Sequence, residues 1–195
     1  MMQSRIQTSI PNIITVSRIF LIPVFVVCYV MPWEGRYLMA AFFFSLAALT
    51  DWLDGYLARR LNQSTPFGAF LDPVADKLIV VTALVIIVAH HNSPWLTLPG
   101  IIIVCREIMI SALREWMAEM RNSIAVAVNQ LGKVKTAVQM TAIILLLALP
   151  PSPDSTLVLI AYTLIYVAAT MTLWSMLAYL KAAWPTLTKG LSRSS

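Results

Sequence analysis

The sequence predicts an all-α integral membrane protein with six transmembrane helices, and three observations lead to this fold class. The chain has 195 residues, of which 59% are hydrophobic and 12% are charged, about half the charged fraction of an average soluble domain. Its mean hydropathy is +0.78. Its apolar residues form long stretches, each close to the roughly 20 residues that a helix needs to cross a bilayer.

Six such stretches are the predicted membrane spans, and short connections with Pro, Gly or Asn join them. The length suits a single domain over residues 1–184, followed by a polar, loose tail over residues 185–195. Residues 1–11 are expected either to lie on the membrane surface as a short helix or to fray. The predicted spans cover residues 13–32, 36–59, 73–91, 96–119, 133–150 and 156–180.

The distribution of positive charge predicts the orientation of the chain. Lys and Arg outnumber Asp and Glu by 14 to 9, which gives a net charge of +5. In the six-span arrangement nearly all of these cations fall on one side, while Arg36 lies near the opposite loops and Arg106 lies inside the fourth span. The positive-inside rule therefore places both termini, and the loops after spans two and four, in the cytoplasm. No basic run with interleaved aromatic residues occurs, so nucleic acid is not a predicted partner.

Four carboxylates beside apolar sequence are the most informative feature of the chain, and we call them the acidic motif. Charged groups placed next to hydrocarbon are costly, so they usually have a function. If the second and third stretches are antiparallel helices, all four carboxylates can converge near the cytoplasmic end of both. The acidic motif consists of Asp51, Asp54, Asp72 and Asp76.

Helical periodicity places the first two of these acids on one face of the second helix. Small residues and one guanidinium share that face, and the whole set is Asp51, Asp54, Gly55, Ala58 and Arg59. Asp72 and Asp76 are four residues apart and share a face if their segment is helical. Pro73 disfavours the α conformation at Asp72, so Asp72 is expected to cap the third helix or to lie at a kink.

The acidic motif predicts a site for hard divalent cations. Clustered carboxylates repel one another unless cations or protons neutralise them. Mg²⁺ and Mn²⁺ prefer oxygen ligands, two such ions suit phosphoryl transfer, and Arg59 beside them would contact phosphate oxygens.

Two other interpretations of the acidic motif are less favoured. An internal ion-pair network with Arg59 and Lys77 would leave the acids in excess. A transporter that binds Na⁺ or H⁺ is disfavoured, because the acids lie toward one membrane face and no inverted repeat is evident. His90 and His91 are expected to be ordinary loop residues.

The spacing D-x2-D-G-x2-A-R-x8-G-x3-D-x3-D runs from Asp51 to Asp76 without a departure, and it resembles the signature of the CDP-alcohol phosphatidyltransferase family. The resemblance implies a six-helix transmembrane fold, usually a homodimer, with an active site that opens to the cytoplasm. It implies transfer from a CDP-lipid at a two-metal site held by the acidic motif. It also implies that Asp76 is the general base or orients the acceptor hydroxyl. The CDP-lipid-binding residues that it implies are Asn12, Thr15, Arg18, Asp54, Gly55, Ala58, Arg59, Thr65 and Gly68. A helix cap for Asn12 and a positive-inside anchor for Arg18 remain alternatives.

A second, basic set of residues predicts the class of the acceptor. Arg106 lies deep in the fourth span, where a cation needs a partner, a cavity or a ligand. Together with Arg114, Lys133 and Lys135 it would form an anion pocket, which suits an acceptor such as sn-glycerol 3-phosphate and which serine would not need. The alternatives are pairing with Glu107 or another acid for Arg106, and anchoring by lipid headgroups for the other three.

Segments around these residues resemble the branch of the family that makes phosphatidylglycerophosphate in Gram-negative bacteria. They are R-E-I-M-I-S-A-L-R-E-W from Arg106, G-K-V-K-T from Gly132, and T-L-W-S-M-L from Thr172. This resemblance implies CDP-diacylglycerol as the donor, sn-glycerol 3-phosphate as the acceptor, and the bacterial inner membrane, with its lipid, as the surroundings. Inositol phosphate or serine as acceptor remains the alternative within the family, and a cation-coupled transporter remains the alternative outside it.

Overall fold

The computed structural model describes residues 10–61, 66–119, 130–152 and 155–191, and all regular secondary structure in those residues is helical. At some of these positions only the backbone is described, namely residues 10–13, 51–61, 66–67, 69, 114, 118–119, 130–133, 182–183 and 185–191. The helices within the described residues are α1 (Ile10–Val30), α2 (Arg36–Leu61), α3 (Pro66–His91), α4 (Pro94–Glu119), α5 (Gln130–Ala148) and α6 (Thr156–Leu191).

The prediction of an all-helical chain is confirmed for the described residues, and their helices correspond one to one with the predicted apolar stretches. Two of these helices contain segments that are long and apolar enough to cross a membrane, Pro94–Met117 in α4 and Thr156–Lys181 in α6. Shorter apolar segments lie in α1, α2 and α5. The number of membrane crossings therefore stays a prediction.

Helix α3 begins seven residues earlier than the predicted span, and this changes the position of Asp72. Pro66 starts the helix, where a proline fits because the first turn needs no backbone donor. Pro73 lies inside the helix, as prolines do in membrane helices when their surroundings satisfy the freed carbonyl. Asp72 is thus in the second turn of α3, and the expectation that it caps the helix is wrong.

Two other helix ends differ from the expectations. His90 and His91, expected in a loop, form the last turn of α3, and Asn92 follows in the left-handed conformation (φ 44°) that commonly ends a helix. Helix α6 continues through Leu191, into the segment expected to be a loose tail. Good helix formers such as Leu180, Lys181 and the alanines after them favour this continuation.

The chain divides into two compact units, Met1–Ile87 with Leu147–Pro150, and Val88–Leu146 with Pro151–Ser195. In the first unit α1 packs against α2, and Gly35 (φ 88°) in the connection supplies a turn conformation that other residues rarely adopt. Two edge-to-face aromatic pairs join the helices, at ring-centroid distances of 5.9 and 5.6 Å. These pairs are Phe25 with Phe44, and Tyr29 with Tyr37. Their order shows that α1 and α2 are antiparallel.

In the second unit α4 packs against α6, and three side-chain contacts along their length define the relative direction of these two helices. The contacts advance along both helices in the same order, so α4 and α6 run in the same direction. A connection between parallel helices has to return along their length, and α5 supplies this return. The contacts join Trp95 to Tyr166, Arg106 to Ser175, and Met117 to Tyr179.

Candidate active site

In the first unit, a hydrogen bond between Thr15 and Asp72 connects α1 with the acidic motif. The Thr15 hydroxyl donates to Oδ1 of Asp72 at 2.5 Å. Thr15 is fully buried, and Arg18, one turn further along α1, is only 1% exposed. A cation that anchors a protein on lipid headgroups keeps its charged end in water, so this burial argues against the anchoring alternative for Arg18.

The α3 half of the acidic motif lies along one face of that helix. Gly68 is buried one turn before Asp72, and Asp76 is exposed one turn after it. Glycine at position 68 adds no side chain on the turn that precedes the carboxylates. The structure thus places Gly68, Asp72 and Asp76 in consecutive turns of a single regular helix.

The α2 half of the acidic motif is described by its backbone only. The positions Asp51 and Asp54 lie within helix α2, so they are one turn apart as predicted, but their side chains lie outside the described residues. The same holds for the other α2 positions of the predicted CDP-lipid set and for Asn12 on α1. Thr65 lies outside the described residues altogether. The α2 positions are Gly55, Ala58 and Arg59.

The donor chemistry of the described carboxylates suits Mg²⁺ or Mn²⁺. Asp72 and Asp76 present oxygen atoms, which hard divalent cations prefer, and the hydroxyl of Thr15 fixes one oxygen of Asp72. Among the described side chains no group of three or more His, Cys, Asp or Glu residues gathers that could hold a metal ion. The side chains of Asp51 and Asp54, which would complete the predicted ligand set, are not among them.

In the second unit, helices α4, α5 and α6 bring four polar side chains together, and we call them the polar cluster. Arg106 and Glu107 come from α4, Lys135 from α5 and Ser175 from α6. Oε1 of Glu107 accepts from Nη1 of Arg106 at 2.9 Å and from Nζ of Lys135 at 3.1 Å. Nη2 of Arg106 donates to Oγ of Ser175 at 3.1 Å. Two cations therefore share one carboxylate. That carboxylate lies within a segment of α4 that is apolar enough to lie in a membrane.

Burial of the polar cluster distinguishes it from a headgroup anchor. Lys135 is 5% exposed, and the side chains of Arg106 and Glu107 are 13% and 23% exposed. Withdrawing such charges from water costs several kcal/mol each, which close pairing and hydrogen bonds offset only in part. Charged residues kept at membrane depth generally mark a ligand or ion pathway. The burial of Lys135 thus argues against the headgroup-anchoring alternative and favours a binding role.

Buried polar atoms without a hydrogen-bond partner among the described residues occur one helical turn from the polar cluster. They include Oε1 of Gln139, one turn after Lys135 on α5, and Oγ1 of Thr172, one turn before Ser175 on α6. Nε of Arg106 belongs to the same group. A buried polar atom without a partner costs about 1–3 kcal/mol, so a polar ligand in this region would stabilise the protein.

The sequence prediction located part of this arrangement. Arg106 and Lys135 both contact Glu107, and the pairing of Arg106 with Glu107 that the sequence left open is present. Anion binding by these residues stays a prediction. The side chains of Arg114 and Lys133 lie outside the described residues. Ser175 was not predicted as a site residue. The available signal was the pair Thr172 and Ser175, one turn apart on α6, and it was weak because Thr163 and Thr170 also lie in that span.

Comparison with known proteins establishes the family. Residues 8–180 match the family model described as CDP-alcohol phosphatidyltransferase. The match covers most of the chain, including the α2 half and the α3 half of the acidic motif, and the polar cluster. The chain therefore belongs to the CDP-alcohol phosphatidyltransferase family.

Similar proteins within this family share one name, CDP-diacylglycerol–glycerol-3-phosphate 3-phosphatidyltransferase. The protein of that name from Pseudomonas fluorescens is 54% identical over 180 residues, which is 92% of this chain and 92% of the relative. That from Salmonella paratyphi A is 51% identical over 91% of this chain and 96% of the relative. That from Yersinia pestis is 49% identical over 93% of this chain and 98% of the relative.

Proposed function

We propose that this protein transfers the phosphatidyl group of CDP-diacylglycerol to sn-glycerol 3-phosphate, forming phosphatidylglycerophosphate and releasing CMP. Its family membership and the shared name of relatives that are about half identical to it over more than 90% of their lengths support this activity. The structural observation that carries the choice of acceptor is the buried pair of cations, Arg106 and Lys135, which suits a phosphorylated acceptor. Such a product belongs to phospholipid biosynthesis.

For the donor side, we assign the reaction to the acidic motif. The acceptor hydroxyl oxygen attacks the β-phosphorus of the CDP-lipid, the bond from that phosphorus to the CMP oxygen breaks, and the hydroxyl proton is lost. Asp76, exposed on α3, orients the hydroxyl or accepts its proton. Asp51, Asp54, Asp72 and Asp76 would hold two Mg²⁺ or Mn²⁺ ions, which when bound neutralise charge on the pyrophosphate and on the departing CMP.

For the acceptor side, we assign phosphate binding to Arg106 and Lys135, with Arg114 and Lys133 as further members of the set. A guanidinium presents a planar fork of donors that matches phosphate oxygens, and an ammonium adds a compact charge. The unpartnered oxygens of Gln139 and Thr172 are suited to accept hydrogen bonds from the hydroxyl groups of a glycerol moiety. A neutral or zwitterionic acceptor would leave the polar cluster with a net positive charge, because the single carboxylate of Glu107 balances only one of the two cations.

For the setting, we propose a multi-pass protein of the bacterial inner membrane, with six spans, cytoplasmic termini and an active site that faces the cytoplasm. The parallel direction of α4 and α6 supports the alternation of spans in the second unit. The excess of Lys and Arg on one side of the six-span arrangement supports the orientation. A homodimer is proposed from the family resemblance.

The experiment that tests this function measures CMP release by the purified protein with CDP-diacylglycerol and Mg²⁺. Parallel reactions contain sn-glycerol 3-phosphate, inositol phosphate or serine as the acceptor. We expect CMP release that depends on sn-glycerol 3-phosphate, with phosphatidylglycerophosphate as the lipid product. Release with only inositol phosphate or serine would refute the acceptor assignment, and no release with any acceptor would favour a cation-coupled transporter.

A further inference from the structure

Oε1 of Glu107 is the point at which the two buried cations of the polar cluster meet. The same oxygen atom accepts hydrogen bonds from Nη1 of Arg106 and from Nζ of Lys135, at 2.9 and 3.1 Å. Because both distances end on one atom, the two nitrogens are separated by no more than the two distances combined. Glu107 therefore limits the spacing between a cation of α4 and a cation of α5.

Ser175 restrains the other terminal nitrogen of Arg106. Its hydroxyl donates to the carbonyl of Thr172 at 2.9 Å, so the hydroxyl hydrogen is already used within α6. A lone pair of Oγ is then directed to Nη2 of Arg106, which donates to it at 3.1 Å. The guanidinium is thus held at both terminal nitrogens, by Glu107 on one side and by Ser175 on the other.

This arrangement removes the main disadvantage of long cationic side chains as ligand-binding groups. Free Lys and Arg side chains lose much rotamer freedom when they bind an anion. If other residues order them beforehand, that loss does not weaken binding of the ligand, which is the general benefit of preorganisation. Glu107 itself is an anion and would repel a phosphate, so any effect it has on phosphate binding must act through the cations.

We propose that Glu107 is a positioning residue for the phosphate of the acceptor, and that Ser175 assists it. Glu107 sets the distance between Arg106 and Lys135, and Ser175 sets the plane of the guanidinium. This inference rests on the proposed function, because it concerns the residues that bind sn-glycerol 3-phosphate. The geometry is compatible with two opposite effects of Glu107, competition with phosphate for the cations and positioning of the cations for phosphate. If Glu107 only competed with phosphate for the cations, its neutralisation would tighten binding, whereas a positioning residue predicts weaker binding.

The test uses the full-length protein with Glu107→Gln and Ser175→Ala, and with Glu115→Gln as the matched control. Glu115 lies on the same helix and is exposed. For each protein, KM is measured for sn-glycerol 3-phosphate and for CDP-diacylglycerol, together with kcat and the inhibition constant of inorganic phosphate.

For Glu107→Gln we expect KM for sn-glycerol 3-phosphate and the inhibition constant of phosphate to rise together by about tenfold, since the charge-assisted bonds to both cations weaken. For Ser175→Ala we expect a rise of about threefold. KM for CDP-diacylglycerol should stay unchanged in both, and Glu115→Gln should match the wild type.

A purely structural role would lower the amount of active enzyme and leave both KM values and the phosphate inhibition constant unchanged. That result, or a lowered KM for sn-glycerol 3-phosphate in Glu107→Gln, would overturn the inference. If Glu107→Gln does not fold, Ser175→Ala decides, because it keeps every charge, and an unchanged KM in that variant overturns the proposal. Failure of the proposed function is separate and visible in the wild type, as no CMP release with sn-glycerol 3-phosphate; the inference would then fall with it.

Discussion

The acidic motif of the first unit and the polar cluster of the second unit are built in different ways. The acidic motif lies within one continuous segment from Asp51 to Asp76, and helical spacing aligns the two aspartates of α2 with each other and the two aspartates of α3 with each other. The polar cluster takes Arg106, Lys135 and Ser175 from three helices, so only tertiary packing brings them together. A local motif can therefore be recognised from spacing, whereas an assembled cluster has to be observed.

The two regions should also differ in the kinetic step that they control. Carboxylates that hold metal ions and orient the attacking hydroxyl act mainly in the transition state, so changing them lowers kcat. Cations that bind a phosphate remote from the reacting atoms act in the ground state and the transition state alike, so changing them raises KM for the acceptor. The following experiments test this division, beginning with the largest expected effect.

Removal of divalent cations should abolish the reaction. With excess chelator, CMP release from CDP-diacylglycerol should fall to background, because the proposed cluster of four carboxylates would repel a pyrophosphate in the absence of cations. Added Mg²⁺ or Mn²⁺ in excess of the chelator should restore turnover. Full activity in the chelator, measured by CMP release, would contradict the assignment of the acidic motif as a metal site.

Asp76→Asn should lower kcat by about 10²–10⁴-fold, the range typical for a group that transfers or orients a proton in the transition state. KM for sn-glycerol 3-phosphate should change little. Glu34→Gln is the control, since Glu34 is an exposed acid in the connection between α1 and α2 of the same unit. Turnover and lipid binding are measured on the same preparation. An Asp76→Asn protein with normal CDP-lipid binding and full turnover would remove Asp76 from the reaction.

Lys135→Met should raise KM for sn-glycerol 3-phosphate by about 10–100-fold, because a charge-assisted hydrogen bond contributes about 1.5–3 kcal/mol. Methionine keeps most of the buried apolar stem, so the fold should be preserved. Lys181→Met is the matched control, since Lys181 lies on α6 and is exposed. A lowered kcat with unchanged KM, measured by varying the acceptor, would show that the two regions do not divide the reaction as described.

Thr15→Val should lower kcat by about tenfold, the smallest effect of this series. The substitution removes the hydroxyl that donates to Oδ1 of Asp72 and leaves a side chain of similar volume. Thr163→Val is the control, because its exposed hydroxyl bonds only to the carbonyl of Leu159 on its own helix. Initial rates at saturating acceptor measure the effect. Equal kcat values in both variants would mean that the bond between α1 and α3 does not position the carboxylate.

The sequence was sufficient for the number and order of the helices in the described residues, because apolar stretches and the residues that interrupt them are local features. It did not predict the start of α3, since the rule that disfavours an α conformation before proline was weaker here than the continuity of a helix that begins with Pro66. Arg106 was recognisable as a costly cation inside an apolar span, whereas Lys135 was included only as a member of the basic set at the start of the fifth helix. Ser175 was not, because a lone hydroxyl in a span can always bond to its own helix, and its contact with Arg106 depends on packing.

The parallel direction of α4 and α6 has a practical consequence for mapping the protein in cells. A reporter enzyme inserted into residues 120–129, after α4, and a reporter fused behind α6 should be active in the same compartment. Reporters placed at residues 92–93 and 150–155, before these helices, should both be active in the opposite one. Agreement within each pair follows from helix direction together with the proposed crossing of the membrane by both helices, and it would allow the sidedness of the second unit to be read without purifying the protein.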